Sequence, residues 1–154
     1  MRAIRIVSGG QTGADRAALD VAIARGIPHG GWCPSSRLAE DGPLDERYAL
    51  KETPSKAYPV RTEWNVRDSD GTVVLTISPK LKGGSRRTYL LAQKHGKPVL
   101  HVSREGGSGS PDKALRQFIE EHGIKVLNVA GSRASKEPEV AGFVQEVLER
   151  ALTA

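Results

Sequence analysis

Three scarcities bound this chain before any motif is sought. It carries one cysteine, Cys33, so an internal disulfide is impossible, which suits a reducing compartment. Its aromatics are two Trp, three Tyr and two Phe, a poor supply for stacking single-stranded nucleic acid. No apolar stretch approaches the ~20 residues needed to cross a bilayer, and Met1-Arg2-Ala3-Ile4-Arg5-Ile6-Val7 reads as entry into a strand rather than as a leader. The expectation is a cytoplasmic protein with no membrane partner. Its 154 residues suffice for one domain, 1–154, with a proper core.

Several motifs are missing as well. No lysine follows Gly13, so the first loop is not a Walker A motif, and it is not G-x-G-x-x-G either. No G-x-S-x-G elbow occurs, and no Ser–His–Asp arrangement can be argued from spacing. The four histidines and single cysteine lack zinc spacing, so no metal site is assigned and Cys33 reads as a buried strand residue.

Glycine is abundant, with 17 residues, and three of its clusters follow apolar runs: Gly9-Gly10-Gln11-Thr12-Gly13, Gly83-Gly84-Ser85 and Ala130-Gly131-Ser132-Arg133. A strand that breaks into glycines and opens a helix presents unpaired N–H groups and a partial positive charge to an anion. Three such loops in one small chain point to a ligand with phosphate or similar groups. Net charge is +5, with Lys80, Lys82, Arg86, Arg87, Lys94 and Lys97 forming a basic stretch free of acids. Such a patch attracts anionic small molecules or nucleic acid, or serves solubility; Arg86 and Arg87, which flank a glycine loop, are the better ligand candidates.

Apolar runs and helical patterns alternate along the chain. Strands are expected at Ile4–Ser8, His29–Cys33, Thr72–Ile77, Val99–Val102 and Lys125–Val129. Helices are expected over Ala14–Arg25 with Gly26 as its stop, over Thr62–Asp68, from a Ser85 N-cap to Gly96, from Pro111, and after Pro138. Residues 34–60 are irregular, rich in proline and charge, and long enough to read as a functional, partly mobile segment. The alternation implies an α/β fold of about five mainly parallel strands with helices on both faces. Ligands in such sheets bind beyond the C-terminal strand ends, where all three glycine loops fall.

Individual residues leave alternatives open. Asp15 is placed to bind a ribose hydroxyl or a metal, to act as a base, or to serve as a favourable acid in the first helical turn. Asp20 reads as the i, i+4 partner of Arg16. Arg61 and Asn65 share a helix face, and Asp68-Ser69-Asp70-Gly71 reads as a turn entering a strand.

Taken together these residues resemble a known group. Ser8 to Asp20, Gly31-Trp32-Cys33-Pro34, Glu40-Asp41-Gly42, Asn65-Val66, Asp68 to Thr72, Gly83-Gly84-Ser85 with Thr88, and Asn128 to Arg133 with Ser135 and Pro138 are similar to a family of proposed molybdenum carriers. The resemblance spans nearly the whole chain. It implies a three-layer, doubly wound, Rossmann-like sheet, in a superfamily that also holds the cytokinin-activating phosphoribohydrolases and the DNA-processing protein fold. It implies a ligand of the molybdenum cofactor (molybdopterin) or nucleotide type, held by its phosphate. Carried over by position, Gly9, Gly10, Gln11, Thr12 and Gly13 form one cradle and Gly83, Gly84, Ser85 and Thr88 a second. Arg61 and Asn65 fall at ligand-contacting positions. The phosphoribohydrolases carry P-G-G-x-G-T-x-x-E, whereas Lys82 to Leu91 here contain no glutamate, so their essential carboxylate is missing. Asp15 and Glu40 are the nearby substitutes.

The expectation is therefore a phosphate-capturing carrier, with Arg61, Arg86 or Arg133 neutralising charge, Gln11 and Asn65 reading the ligand, and Asp15 and Gly131 nearby. Segment 34–60 is expected to close as a lid, and Gly10→Val to abolish binding. N-glycosidic hydrolysis of a nucleotide is the alternative, nucleic-acid binding a lesser one. Related folds pair through helix faces, so a homo-oligomer, dimer or tetramer, is expected. No catalytic residue is assigned.

Overall fold

The computed structural model describes residues 3–107 and 109–153. Five strands, β1 (Arg5–Val7), β2 (His29–Gly30), β7 (Gly71–Thr76), β8 (Val99–Ser103) and β9 (Val126–Gly131), form one wholly parallel sheet in the order β2-β1-β9-β7-β8. β9, late in the chain, lies at the centre, with Ile6 opposite Leu127 on one side and Val73 opposite Val129 on the other. Five helices surround the sheet: α1 (Ala14–Arg25), α2 (Tyr58–Arg67), α3 (Gly83–Lys94), α4 (Pro111–His122) and α5 (Val140–Leu152). The expected three-layer α/β architecture is observed.

Local chemistry explains the helix limits. α1 covers the expected span, and Gly26 closes it in the left-handed conformation (φ 67°), with Ile27 N–H reaching Ala22 C=O at 2.8 Å. α4 ends the same way at Gly123, where Ile124 N–H reaches Ile119 C=O at 3.0 Å. α3 departs from expectation. It starts at Gly83 with Lys82 as N-cap, and Ser85 lies inside the first turn and caps nothing. Its first intrahelical bond runs from Arg86 N–H to Lys82 C=O at 3.3 Å.

Strand alternation divides the interior. Val73 and Leu75 of β7 join Ile6, Leu127, Val129, Leu115, Val144 and Leu148 in the core beneath α1, α4 and α5. Thr72, Val74 and Thr76 alternate with them, toward α2 and α3. The latter face is polar: Asn128 Nδ2 donates to Thr72 Oγ1 at 3.2 Å, and Thr76 Oγ1 lies 2.7 Å from His101 Nε2. A sheet polar on one face is built to line a site.

Residues 34–60 are more regular than expected. They hold a 3-10 turn (Ser35–Arg37) and three short strands, β4 (Leu38–Ala39), β5 (Gly42–Pro43) and β6 (Lys51–Glu52). β6 pairs in parallel with β3 (Trp32–Cys33), because Gly31 turns the chain out of the main sheet after β2. Leu19, Cys33, Ala39, Leu44, Tyr48 and Leu50 form a second buried cluster that anchors the segment. Arg37 binds the carbonyls of Leu44, Asp45, Tyr48 and Leu50, supplying from one side chain the donors this irregular backbone lacks. Its period is neither 2 nor 3.6, which is why its order is invisible in the sequence.

Candidate functional site

A cavity of about 480 Å³ opens at the C-terminal ends of β1, β7 and β9, between α2 and α3. Gly9, Gln11 and Asp15 form one wall, Arg61 and Thr62 of α2 another, Gly83, Gly84, Ser85 and Thr88 of α3 a third, and Asn128 to Arg133 a fourth. Three glycine-bearing strand ends thus meet as expected. They are not equivalent.

The loop after β1 is partly satisfied from within, the N–H groups of Gly9, Gly10 and Gly13 having no partner among the described residues. Asp15 Oδ2 accepts Gln11 N–H at 3.2 Å, Gln11 Oε1 accepts Thr12 N–H and Glu40 N–H, and Ala14 N–H at the head of α1 donates to Ser132 C=O at 3.0 Å. Gly10, Thr12 and Gly13 do not line the cavity. Gly10 (φ 80°) packs on Leu44, where a Cβ would come within 2.6 Å of Leu44 Cδ1. Thr12 binds Glu40 and Ala134 N–H. The first glycine loop is a structural joint between β1, the 34–60 segment and the loop after β9. Substituting Gly10 with valine would therefore disturb packing and reports nothing about a ligand.

The end of β7 is also filled by a carboxylate, one that sequence reasoning missed. Glu137 Oε1 accepts Ile77 N–H at 2.8 Å and Ser132 Oγ at 2.6 Å, while Oε2 accepts Ser78 N–H at 2.8 Å. Burial works against its ionisation, but these three donors outweigh it and hold the carboxyl below its ordinary range. α3 differs. Gly83, Gly84 and Ser85 of its first turn line the cavity, and no intrahelical acceptor exists for their N–H groups.

Arg61 is the buried cation of the site. Its Nε donates to Tyr58 C=O and Thr62 Oγ1, and its Nη1 donates to Gly9 C=O at 2.9 Å and to Asp15 Oδ2 at 3.2 Å. Its Nη2 has no partner among the described residues. Because no buried side-chain nitrogen or oxygen among them lacks one, Nη2 keeps access to solvent, and Arg61 borders the cavity. Burial pushes the Asp15 carboxyl above its ordinary range, opposed chiefly by Arg61.

Asn65 borders the cavity with its amide already committed. Its Oδ1 accepts Trp32 N–H at 2.8 Å and its Nδ2 donates to Trp32 C=O at 2.9 Å, so both ends of the amide clamp one residue's backbone. Arg16, expected to pair with Asp20, instead grips Asp41 with two bonds of 3.0 Å, and Asp20 accepts the Tyr48 hydroxyl at 2.6 Å. Burial opposes ionisation of Glu40, but Thr12, Ser135 and Arg133 outweigh it and hold its carboxyl below the ordinary range. Glu40 lies outside the cavity lining. Of the basic stretch, Lys80, Lys82 and Arg87 reach the cavity and Arg86 does not; Lys97 binds Ser69 C=O at 2.7 Å. Arg133 and Lys136 complete the cationic rim.

Comparison with known proteins identifies the family and the fold. The model of the circularly permutated YpsA SLOG family matches residues 6–152. The chain belongs to this family. The permutation is legible in the sheet: counted from β9 through β1, β2, β7 and β8, the strand order becomes third, second, first, fourth, fifth, the doubly wound order. A crystal structure at 1.45 Å resolution of a "Putative molybdenum carrier protein" from Syntrophus aciditrophicus SB shares 47% identity. That likeness covers 98% of this chain and 96% of that one, with a TM-score of 0.92. A structure of (E)-4-hydroxy-3-methyl-but-2-enyl diphosphate reductase aligns at 9% identity and a TM-score of 0.41, over 95% of this chain and 59% of that one, too little to carry an argument. No functionally curated protein matches. Among the described residues of this family member, no helix is long and apolar enough to cross a membrane.

Proposed function

We propose that the chain is a binding or carrier protein for a phosphorylated small molecule, of the molybdenum-cofactor (molybdopterin) or nucleotide type, and that the first turn of α3 holds its phosphate. One observation carries the reading. Of the three helix- or strand-end nests around the cavity, two receive a carboxylate, Asp15 at Gln11 N–H and Glu137 at Ile77 and Ser78 N–H, whereas no carboxylate of the described residues enters the nest at Gly83, Gly84 and Ser85. Lys82 and Arg87 flank that nest, and phosphate there gains backbone N–H donors together with charge-assisted bonds. Arg61 Nη2 and Gln11 face the body of the ligand from the opposite wall. The lining contains no Cys or His, so contacts to a molybdenum-bearing cargo run through its phosphate and polar edges. The molybdenum carrier name of the Syntrophus protein supports the cargo reading, and the similarity across 98% of this chain extends it here.

Hydrolysis of a nucleotide glycosidic bond is the second reading, favoured by Asp15, a carboxyl at the cavity wall whose pKa is raised by burial. Release of free base from a nucleotide panel would support it; binding without turnover supports the carrier.

Gly84→Asp tests the phosphate site. A Cβ at Gly84 meets nothing within 4 Å, and an acid in a first helical turn stabilises the helix, so the fold survives. Affinity for AMP and inorganic phosphate, measured by calorimetry, should fall by about tenfold or more, one charge-assisted contact being worth that much. Unchanged affinity would sink the assignment. Native mass spectrometry with elemental analysis then identifies the cargo: a pterin with stoichiometric molybdenum, or a nucleotide.

A further inference from the structure

The rim of the cavity is over-supplied with positive charge for a single phosphate. Arg61, Lys80, Lys82, Arg87, Arg133 and Lys136 line it, against the carboxylates of Asp15 and Glu137. Arg61 is paired with Asp15, and Arg133 lies 3.8 Å from Glu40. Lys80, Lys82, Arg87 and Lys136 have no carboxylate in ion-pair range among the described residues. A phosphate monoester carries about −1.5 to −2 at neutral pH, which leaves roughly half of these four cations unmatched.

The cations of the rim, the four unpaired ones and Arg133, fall into two arms. Lys80, Lys82 and Arg87 come from the end of β7 and the start of α3, whereas Arg133 and Lys136 come from the loop after β9. The arms meet where Ser78 N–H donates to Glu137 at 2.8 Å, and Lys80 N–H donates to Ser78 Oγ at 3.2 Å. The ionised Glu137 carboxylate stands at this junction with both oxygens engaged, and so divides the positive rim into two centres. A second, independent sign of an anionic occupant is Arg61. It is only 8% exposed and lines the cavity, yet its Nη2 has no protein partner among the described residues.

We infer that the site selects ligands bearing two phosphoryl groups over monophosphates, one group on the first turn of α3 with Lys82 and Arg87, the other between Arg133 and Lys136. The ligand class is a diphosphate ester, such as a nucleoside diphosphate. The inference rests on the phosphate reading of the α3 nest and deepens it.

Calorimetric titration with inorganic phosphate, pyrophosphate, AMP and ADP at matched ionic strength tests it, on the native chain and on the double variant Arg133→Gln/Lys136→Gln. Both substituted side chains are on the loop after β9, outside the buried core, and thermal melting checks that the variant folds. The expected result is that pyrophosphate and ADP bind about tenfold tighter than phosphate and AMP, one further charge-assisted contact. The double variant should lose that preference, pyrophosphate and ADP weakening far more than phosphate and AMP. Equal affinity for mono- and diphosphates, or equal weakening of AMP and ADP in the variant, overturns the two-centre site and leaves the α3 phosphate site standing. No binding of any of the four probes overturns the α3 site itself, and this inference with it.

Discussion

Arg61 Nη1 lies 3.2 Å from Asp15 Oδ2 and 2.9 Å from Gly9 C=O, so one guanidinium nitrogen ties α2 to both the loop after β1 and the first turn of α1. Both side chains of the pair are only 10% exposed. The bond fixes the wall of the cavity opposite α3, and it leaves Arg61 Nη2 without a protein partner among the described residues.

Removing the cation strands the acid. Arg61→Met is expected to cost about 3–5 kcal/mol in urea denaturation, because an uncompensated buried carboxylate remains. Asp15→Asn carries a pH signature. The folded pKa of Asp15 lies above its unfolded value of 3.8, so its contribution is most favourable below that value and declines as pH rises through the folded pKa. The variant should gain on the native chain as pH rises above about 4, and parallel stability curves would contradict the raised pKa.

Glu137 behaves in the opposite sense. Glu137→Gln has one acceptor oxygen to offer three donors, and should cost about 1–3 kcal/mol with faster amide exchange at Ile77 and Ser78. The folded pKa lies below 4.5, so the native advantage is present above that value and is lost as pH falls through the folded pKa. A gap between variant and native that is constant from pH 3 to pH 7 would refute the assignment, since each tenfold change in proton affinity on folding is worth about 1.4 kcal/mol.

Two residues govern the 34–60 segment. Arg37→Met is expected to cost about 1–3 kcal/mol, since four carbonyls lose their shared donor, and to speed proteolysis within the segment. Ser36 sits at φ 67°, a left-handed conformation, and Ser36→Gly should stabilise by about 1 kcal/mol. Unchanged stability in both variants would contradict the anchoring of the segment by Arg37 and the left-handed backbone at Ser36.

The glycines of the cavity wall separate into two kinds. Gly131→Ala drives a methyl group into the Leu75 carbonyl across the β9–β7 pairing, and should cost about 1–3 kcal/mol or prevent folding. Gly84→Ala meets open space in the first turn of a helix and should stabilise by about 0.5–1 kcal/mol. Thermal melting distinguishes the two; equal effects would mean that the close approach of β9 to β7 is absent.

Much of this arrangement is legible in the residues themselves. Repeating apolar periods and a terminal glycine locate α1 to the residue, and hydrophobic runs locate β7 and β9 within one or two positions at their ends. The same runs place the glycine loops at strand ends. Their division into filled and open nests is not legible, because Asp15, Ser132 and Glu137 choose their partners through tertiary contacts that no local period encodes. Asn65 shows the same limit: its side chain matches a ligand reader in kind, and its geometry gives it to Trp32. Position alone points to Arg61, whereas a lone glutamate before a proline offers no signal that would single out Glu137.

The place of β9 bears on how the molecule is made. Ser8 Oγ donates to Val129 C=O across 121 positions, and every such contact waits for the last strand of the chain. During synthesis β1 with β2, and β7 with β8, emerge as separate half-sheets with bare edges. Assembly of the sheet is therefore a late, slow, high-contact-order event. Ribosome-bound chains ending before Val126 should be sticky and protease-sensitive until the joining strand arrives.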